Sequence, residues 1–324
     1  MMANYWKCHK EVRAAARREV PDMKTRELAE REWLDLHYSP DYITASQMPA
    51  VVGVDPYVSS FELFHRKRGD THRDDADNLR FAVGHALEPV IAEEFSRIMG
   101  HVVVDLGPYT VAIHPVYDWL VSTPDFIAIV DGAKAPVEIK TTETNTEAAR
   151  DFSACRVPIH YDVQVQMQMA TMDAPFGYIA ALRGLGSRGL DIIRVERDDE
   201  LIEGCLRIGA KFLNDIAVGR EPAPTGSDAD AKLIARLHPA DDGSTIELPE
   251  DGWLDRIERL DDLKRRAAEI NEEIVQIENS LKNEIGDHTF AECGPWRFSF
   301  KTTHRKGYVV QDAIFRVLRK SAKK

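Results

Sequence analysis

The hydrophobic period of this chain switches repeatedly between Asn78 and Val218, and few folds accommodate that order. Over Asn78–Met99, Phe81, Leu87, Val90, Ile91, Phe95 and Ile98 recur at helical spacing, and Gly100 ends the run. From His101 the apolar residues alternate as in strands: H-V-V-V-D-L, Y-T-V-A-I, D-W-L-V-S-T, D-F-I-A-I-V and P-V-E-I-K-T-T, separated by Gly, Pro and Asp turns. Helical period returns over Ile159–Met172, gives way to F-G-Y-I-A-A-L and L-D-I-I-R-V, and resumes over Asp198–Val218. The order is helix, a curved antiparallel meander, then helix, two strands and helix, which is an α/β domain.

The flanking stretches carry less pattern. Residues 1–40 read as two short helices broken near Pro21, with T-R-E-L-A-E-R-E-W-L-D-L as the second. In I-T-A-S-Q-M-P-A-V-V-G, Thr44 or Ser46 is expected to cap a short helix that Gly53 closes, and S-S-F-E-L-F-H-R-K-R-G is a further helix. The main domain is expected over 41–219, an acidic linker region over 220–250, and a long helix with a basic hairpin and tail over 251–324. Leu260, Leu263, Ala267, Ile270, Ile274, Ile277 and Leu281 alternate steps of three and four, the seam of a helix that packs on another helix, with packing inside the chain the favoured reading.

Charge and cysteine usage narrow the function. The net charge of −12 argues against a general nucleic-acid coat. Its distribution is uneven: Arg297–Lys324 holds nine Lys or Arg against Asp312 alone, whereas Glu221–Asp262 holds twelve acids against four bases. In the tail, Trp296, Phe298, Phe300 and Tyr308 interleave with Arg297, Lys301, Arg305 and Lys306, which suits single-strand contact, although a small hairpin with a solvated basic face is the favoured reading. Cys8, Cys155, Cys205 and Cys293 are dispersed, so no zinc knuckle, disulfide framework or iron–sulfur site is expected. No apolar run approaches the roughly 20 residues of a membrane span, and the N-terminus lacks a signal-peptide core, so a cytoplasmic protein is expected.

The chemistry concentrates in V-E-I-K. Alternation puts Glu138 and Lys140 on one face of a strand and Val137 and Ile139 on the other. Read alone, the pair is a salt bridge. A tight turn through Asp131-Gly132-Ala133, however, would bring Asp125 of the preceding S-T-P-D-F beside Glu138, and two carboxylates that close call for a cation. Hard oxygen donors of this kind suit Mg²⁺, with Mn²⁺ as a substitute. Lys140 would then hold and help deprotonate a water, or stabilise charge on a phosphate. Gly84-x-x-x-Glu88 adds a third acid one helical turn from a glycine, and Tyr161, Gln164 and Gln168 share one helical face, although a surface glutamate and solvated glutamines are the plain readings of each alone.

Taken in order, Gly84-x-x-x-Glu88, Pro124-Asp125, Glu138-x-Lys140 and Gln164-x-Gln166 resemble the PD-(D/E)xK, or restriction-endonuclease-like, nuclease core. The wording I-T-A-S, G-H-A-L-E-P, S-T-P-D, E-I-K-T-T and Q-V-Q-M-Q-M resembles more narrowly the YqaJ-like viral recombinase branch, the lambda exonuclease family, over about Asp41–Gly219. The resemblance implies a curved central mixed sheet flanked by helices, plus the helical and hairpin C-terminal extension. It implies a Mg²⁺-dependent exonuclease of bacterial or phage-infected cells that degrades duplex DNA ends 5′ to 3′, leaving 3′ single strands for an annealing protein. Asp125, Glu138 and the Ile139 backbone carbonyl would be metal ligands and Lys140 the catalytic lysine. Glu88 would assist at the metal, Gln164 or Gln166 would support, and Ser46 and Thr123 would contact a terminal phosphate. A ring-shaped trimer is also implied. The chain departs from the family pattern in having no Arg a few residues before I-T-A-S, where it reads H-Y-S-P-D-Y. Rival readings are an endonuclease of the same fold and a non-catalytic DNA-binding or recombination-partner module.

Overall fold

The computed structural model describes residues 23–71, 79–107, 109–184 and 189–307, with Arg316, Leu318 and Lys320. The first of the two opening helices and the tail aromatic Tyr308 lie outside the described residues. The chain divides into two units, Met1–Leu237 and His238–Lys324.

The first unit runs β1 (Thr25–Glu27), α1 (Glu30–Tyr38), β2 (Ile43–Thr44), α2 (Met48–Val52), α3 (Ser60–Lys67), α4 (Leu79–Met99), β3 (Val102–Val104), β4 (Thr110–Ile113), β5 (Leu120–Ser122), β6 (Phe126–Val130) and β7 (Ala133–Thr142). It continues with α5 (Glu147–Ser153), α6 (Ile159–Met172), β8 (Phe176–Arg183), β9 (Asp191–Glu196), α7 (Asp199–Ala217) and α8 (Asp228–Leu237). The strands form two sheets rather than the single meander expected. One is mixed, in the order β3-β6-β7-β8-β9 with β7 and β8 parallel, and the other is β1-β4-β5-β2. Alternation fixes which face a strand buries but not which strand it pairs with. Here Gly107 (φ 92°) and Tyr109 (φ 62°) redirect the chain after β3, so β4 and β5 leave for the second sheet and β3 pairs with β6.

Two other local expectations yield to tertiary pairing. Thr25–Glu27, read as helix, pairs antiparallel with β4, and the helix begins only at Glu30, where the Glu32 carboxylate accepts the Ala29 N–H at 3.1 Å. Gln47, not Thr44 or Ser46, takes the position before α2. Its Oε1 accepts from Thr44 N–H at 3.2 Å and its Nε2 donates to the His37 carbonyl at 2.8 Å. Gly53 closes that helix in the left-handed region, φ 81°, as expected.

The β6–β7 hairpin turns on Asp131 (φ 50°) and Gly132 (φ 82°), the two left-handed residues of a type I′ turn. This fixes the register from Val130 opposite Ala133 to Phe126 opposite Val137. Along these strands Phe126, Ala128, Ala135, Val137 and Ile139 pack with Ile91, Ala92 and Phe95 of α4. The opposite face meets α6, where Ile127 and Ile179 pack with Val165, Met169 and Met172. The far side of α6 is buried again, with Val163, Met167 and Ala170 packed on α2, α3 and α7. A helix covered on all sides reads as apolar all round, and the polar residues it retains need partners inside the protein. α6 comes closest to the sheet at Gly177: a Cβ there would lie 2.7 Å from Val165 Cγ1 and 3.1 Å from Pro136 Cγ.

The stretch 220–250, read as a linker, contains α8. Fully buried Asp230 anchors it, accepting from the Ser59 hydroxyl at 2.6 Å, the Thr225 N–H at 2.6 Å and the Thr225 hydroxyl at 2.7 Å. The second unit begins with exposed, irregular 239–249 apart from a brief bend, followed by α9 (Glu250–Ile285) and the hairpin of β10 (Phe290–Cys293) and β11 (Trp296–Ser299), turned at Gly294-Pro295 as expected. Asp251 and Gly252 are non-helical, so the uninterrupted helix starts at Trp253. Among the described residues no helix is long and apolar enough to cross a membrane.

Candidate active site

The hairpin register carries Asp125 to the position opposite Glu138, on the sheet face covered by α6. Asp125 Oδ2 accepts the Ile139 N–H at 2.7 Å, which ties the acid to the strand that bears Glu138 and Lys140. Glu138 is 3% exposed, and a carboxylate so buried requires donors. It has three: Lys140 Nζ at 2.6 Å and Gln164 Nε2 at 2.7 Å on Oε1, and Gln168 Nε2 at 2.6 Å on Oε2. Lys140 Nζ also donates to Gln164 Oε1 at 3.2 Å and lies 4.6 Å from the centre of the Tyr161 ring.

Electrostatics follow from this crowding. Burial, then the Glu138 and Glu88 charges, push the Asp125 carboxyl well above its ordinary range, against the pull of Lys140 and the Ile139 amide. Burial acts to lower Lys140, but the Glu138 and Asp125 carboxylates outweigh it and raise the lysine above its usual value. Glu88 is raised by burial, with a further push from Glu138 and opposition from His85, whose Nδ1 sits 2.8 Å from Glu88 Oε1.

The sequence-predicted residues thus divide. Asp125, Glu138, Ile139, Lys140 and Gln164 converge. Glu88 is felt electrostatically while its carboxylate engages His85. Gln166 points elsewhere: its Nε2 donates to the Glu196 carbonyl at 2.8 Å and its Oε1 accepts the Asp198 N–H at 2.9 Å, joining β9 to the start of α7. Gln168 takes the place expected of Gln166. Ser46 and Thr123 both follow the same end of the parallel β2–β5 pair and are exposed; Ser46 Oγ is 3.0 Å from Thr44 Oγ1, and Thr123 Oγ1 accepts from Trp33 Nε1 at 3.3 Å. Trp33, part of a ring group with His37 and Tyr109, is a neighbour that motif reading passed over.

The donor set fits a hard divalent cation. Among the described residues no three His, Cys, Asp or Glu side chains converge at metal-binding spacing, so the fit rests on two carboxylates, Asp125 and Glu138, completed by backbone oxygen or water. Burial first and then the neighbouring Glu138 charge push Asp125 upward, a repulsion that a cation would relieve, and the buried Gln168 Oε1, which has no hydrogen-bond partner among the described residues, leaves one more oxygen close to Glu138.

Comparison with known proteins agrees with the motif reading. Residues 32–175 match the model of the YqaJ-like viral recombinase domain. The chain is 26% identical over 282 residues to "Uncharacterized protein YqaJ" of Bacillus subtilis (strain 168), covering 86% of this chain and 85% of that one. An alkaline exonuclease from Laribacter hongkongensis overlaps 58% of this chain and 93% of its own at 22% identity and TM-score 0.47. A phage-related exonuclease from Haemophilus somnus overlaps 55% and 96% at 13% identity and TM-score 0.40.

Proposed function

Because residues 32–175 match the model of the YqaJ-like viral recombinase domain, we propose that this chain is a metal-dependent deoxyribonuclease that degrades duplex DNA from its ends, 5′ to 3′, leaving 3′ single strands for an annealing partner. The observation that carries the reading is Glu138, buried on the α6 face with Lys140, Gln164 and Gln168 all donating to it and Asp125 opposite. Asp125, Glu138 and the Ile139 carbonyl would hold Mg²⁺, which when bound lowers the pKa of a coordinated water and screens phosphate charge.

The residues of the chain do the positioning. Gln164 and Gln168 fix the Glu138 carboxylate, so the lone pair left free on Oε2 keeps one direction. Lys140, whose Nζ donates to Glu138 Oε1 at 2.6 Å and Gln164 Oε1 at 3.2 Å, would neutralise charge developing on the scissile phosphate or hold and help deprotonate a water. Burial under α6 lowers the local dielectric and strengthens that interaction. Ser46 and Thr123, exposed at the same end of the β2–β5 pair, would contact the terminal phosphate.

End-labelled linear duplex and covalently closed circles, incubated with Mg²⁺ and with chelator, test the reading. Linear DNA is expected to shorten only with metal while circles persist. Survival of linear DNA with both Mg²⁺ and Mn²⁺ in the presence of folded protein overturns the nuclease assignment, and rapid nicking of closed circles replaces exonuclease with endonuclease.

A further inference from the structure

Among the described residues the apolar seam of helix α9 is exposed: Leu260, Leu263, Ile270, Ile274, Ile277 and Leu281 are between 37% and 56% exposed. Single apolar residues are ordinary on a surface, but a row in steps of three and four is what a partner helix requires. The charges beside the seam select the partner and its direction. With Leu260, Ala267 and Ile274 at the first core position of each heptad and Leu263, Ile270 and Ile277 at the fourth, Arg259, Arg266 and Glu273 precede the first position and Lys264 and Glu278 follow the fourth.

A parallel pair of such helices would set Arg259 against Lys264 of the second copy and Glu273 against Glu278, like charges in both places. An antiparallel pair that stacks Ala267 on Ile270 of the second copy removes both conflicts. It seats Leu263 on Ile274 and Leu260 on Ile277, and two-fold symmetry then brings Arg266 opposite Glu273 twice. Arg259, Arg265 and Lys282 already pair within their own helix, with Asp262, with Asp262 and Glu269, and with Glu278. Arg266 and Glu273 form no ion pair among the described residues, so both are available. We propose that α9 forms an antiparallel two-stranded coiled coil with α9 of a second copy of this chain, in the register that pairs Arg266 with Glu273.

Sedimentation of the full chain over a concentration series tests this, with helicity followed by circular dichroism. The parent is expected to associate in steps of two, whatever the first unit does by itself. Arg266→Glu and Glu273→Arg each place like charges at both pairing positions and are expected to weaken that step roughly tenfold or more. The double variant restores opposite charges and is expected to return to the parent value. A parallel pairing predicts the reverse for Glu273→Arg, which would then face Glu278 and tighten association. That outcome, or a mass unaffected by all three variants because the seam is covered within its own chain or by a different protein, overturns the proposal.

Discussion

Three glutamines on one buried helix have separable consequences. Gln164 and Gln168 both donate to Glu138, whereas Gln166 joins β9 to the start of α7. Gln164→Leu or Gln168→Leu is expected to lower the turnover of folded protein beyond any loss of stability from the unpaired Glu138 carboxylate, while Gln166→Leu lowers melting temperature and leaves the turnover of folded protein intact; steady-state kinetics beside thermal melts distinguish them. Replacing Lys140 by Ala removes the ammonium but no carboxylate, so metal-induced stabilisation should persist while turnover falls about a hundredfold, roughly 3 kcal/mol of transition-state stabilisation. If the Glu138–Lys140 pair is only structural, the variant instead unfolds more easily and Mg²⁺ leaves the parent's melting unchanged. A further residue outside this cluster titrates. Burial pushes Lys67 down to about 7, while its Nζ donates to the carbonyls of Tyr42 at 2.6 Å and Ser39 at 3.1 Å. The unfolded lysine titrates near 10.5, so between these values the unfolded chain binds the extra proton and stability rises with pH. Denaturant melts from pH 7 to 10 are expected to show that slope in the parent and to lose it in Lys67→Met. The Asp125–Glu138 pairing was legible because an Asp-Gly turn fixes a hairpin register locally. The pairing of Gln168 with Gln164 was legible too, since residues four apart share a helical face and residues two apart do not, whereas motif order alone pointed to Gln166, whose side chain bonds elsewhere.

At the level of elements, the approach of α6 to the sheet rests on a missing side chain. A Cβ at Gly177 would enter Val165 and press on Pro136, so Gly177→Ala is expected to lift α6 and carry Gln164 and Gln168 away from Glu138. Stability and turnover should fall together, and a variant with undiminished turnover removes this glycine from the account. α8 depends on one buried carboxylate: Asp230→Ala strands three donors and should cost about 2–3 kcal/mol in a chemical melt, with Asp230→Asn recovering part of it. The helices α4, α6 and α7 and the strands β6 to β9 follow the hydrophobic period closely. What the period could not convey was the departure of β4 and β5 to a second sheet, since pairing partners are chosen by redirected backbone at Gly107 and Tyr109 and by non-local contacts. For the same reason 25–27 looked helical until β4 was there to pair with it.

Across the whole chain, the boundary near Leu237 and His238 is followed by exposed, irregular residues to 249. Limited proteolysis is expected to cut there first, since protease sites need backbone that can leave the surface. The basic run from Arg297 suggests a contribution to DNA affinity: substituting Lys301, Arg305 and Lys306 by Gln should flatten the salt dependence of binding by roughly one counterion per lost phosphate contact, and an unchanged slope assigns the run no DNA contact. One feature of the first unit also governs when activity can arise. β7 is parallel to β8, so Val137 finds Tyr178 only after α5 and α6 have been laid down between them. On a ribosome the Asp125–Glu138 hairpin emerges early, but the glutamines of α6 and the strand that seats them come later. On the proposed nuclease reading, a half-made chain holds its acids without the glutamines that fix Glu138, and DNA cleavage is expected only once synthesis has passed β8.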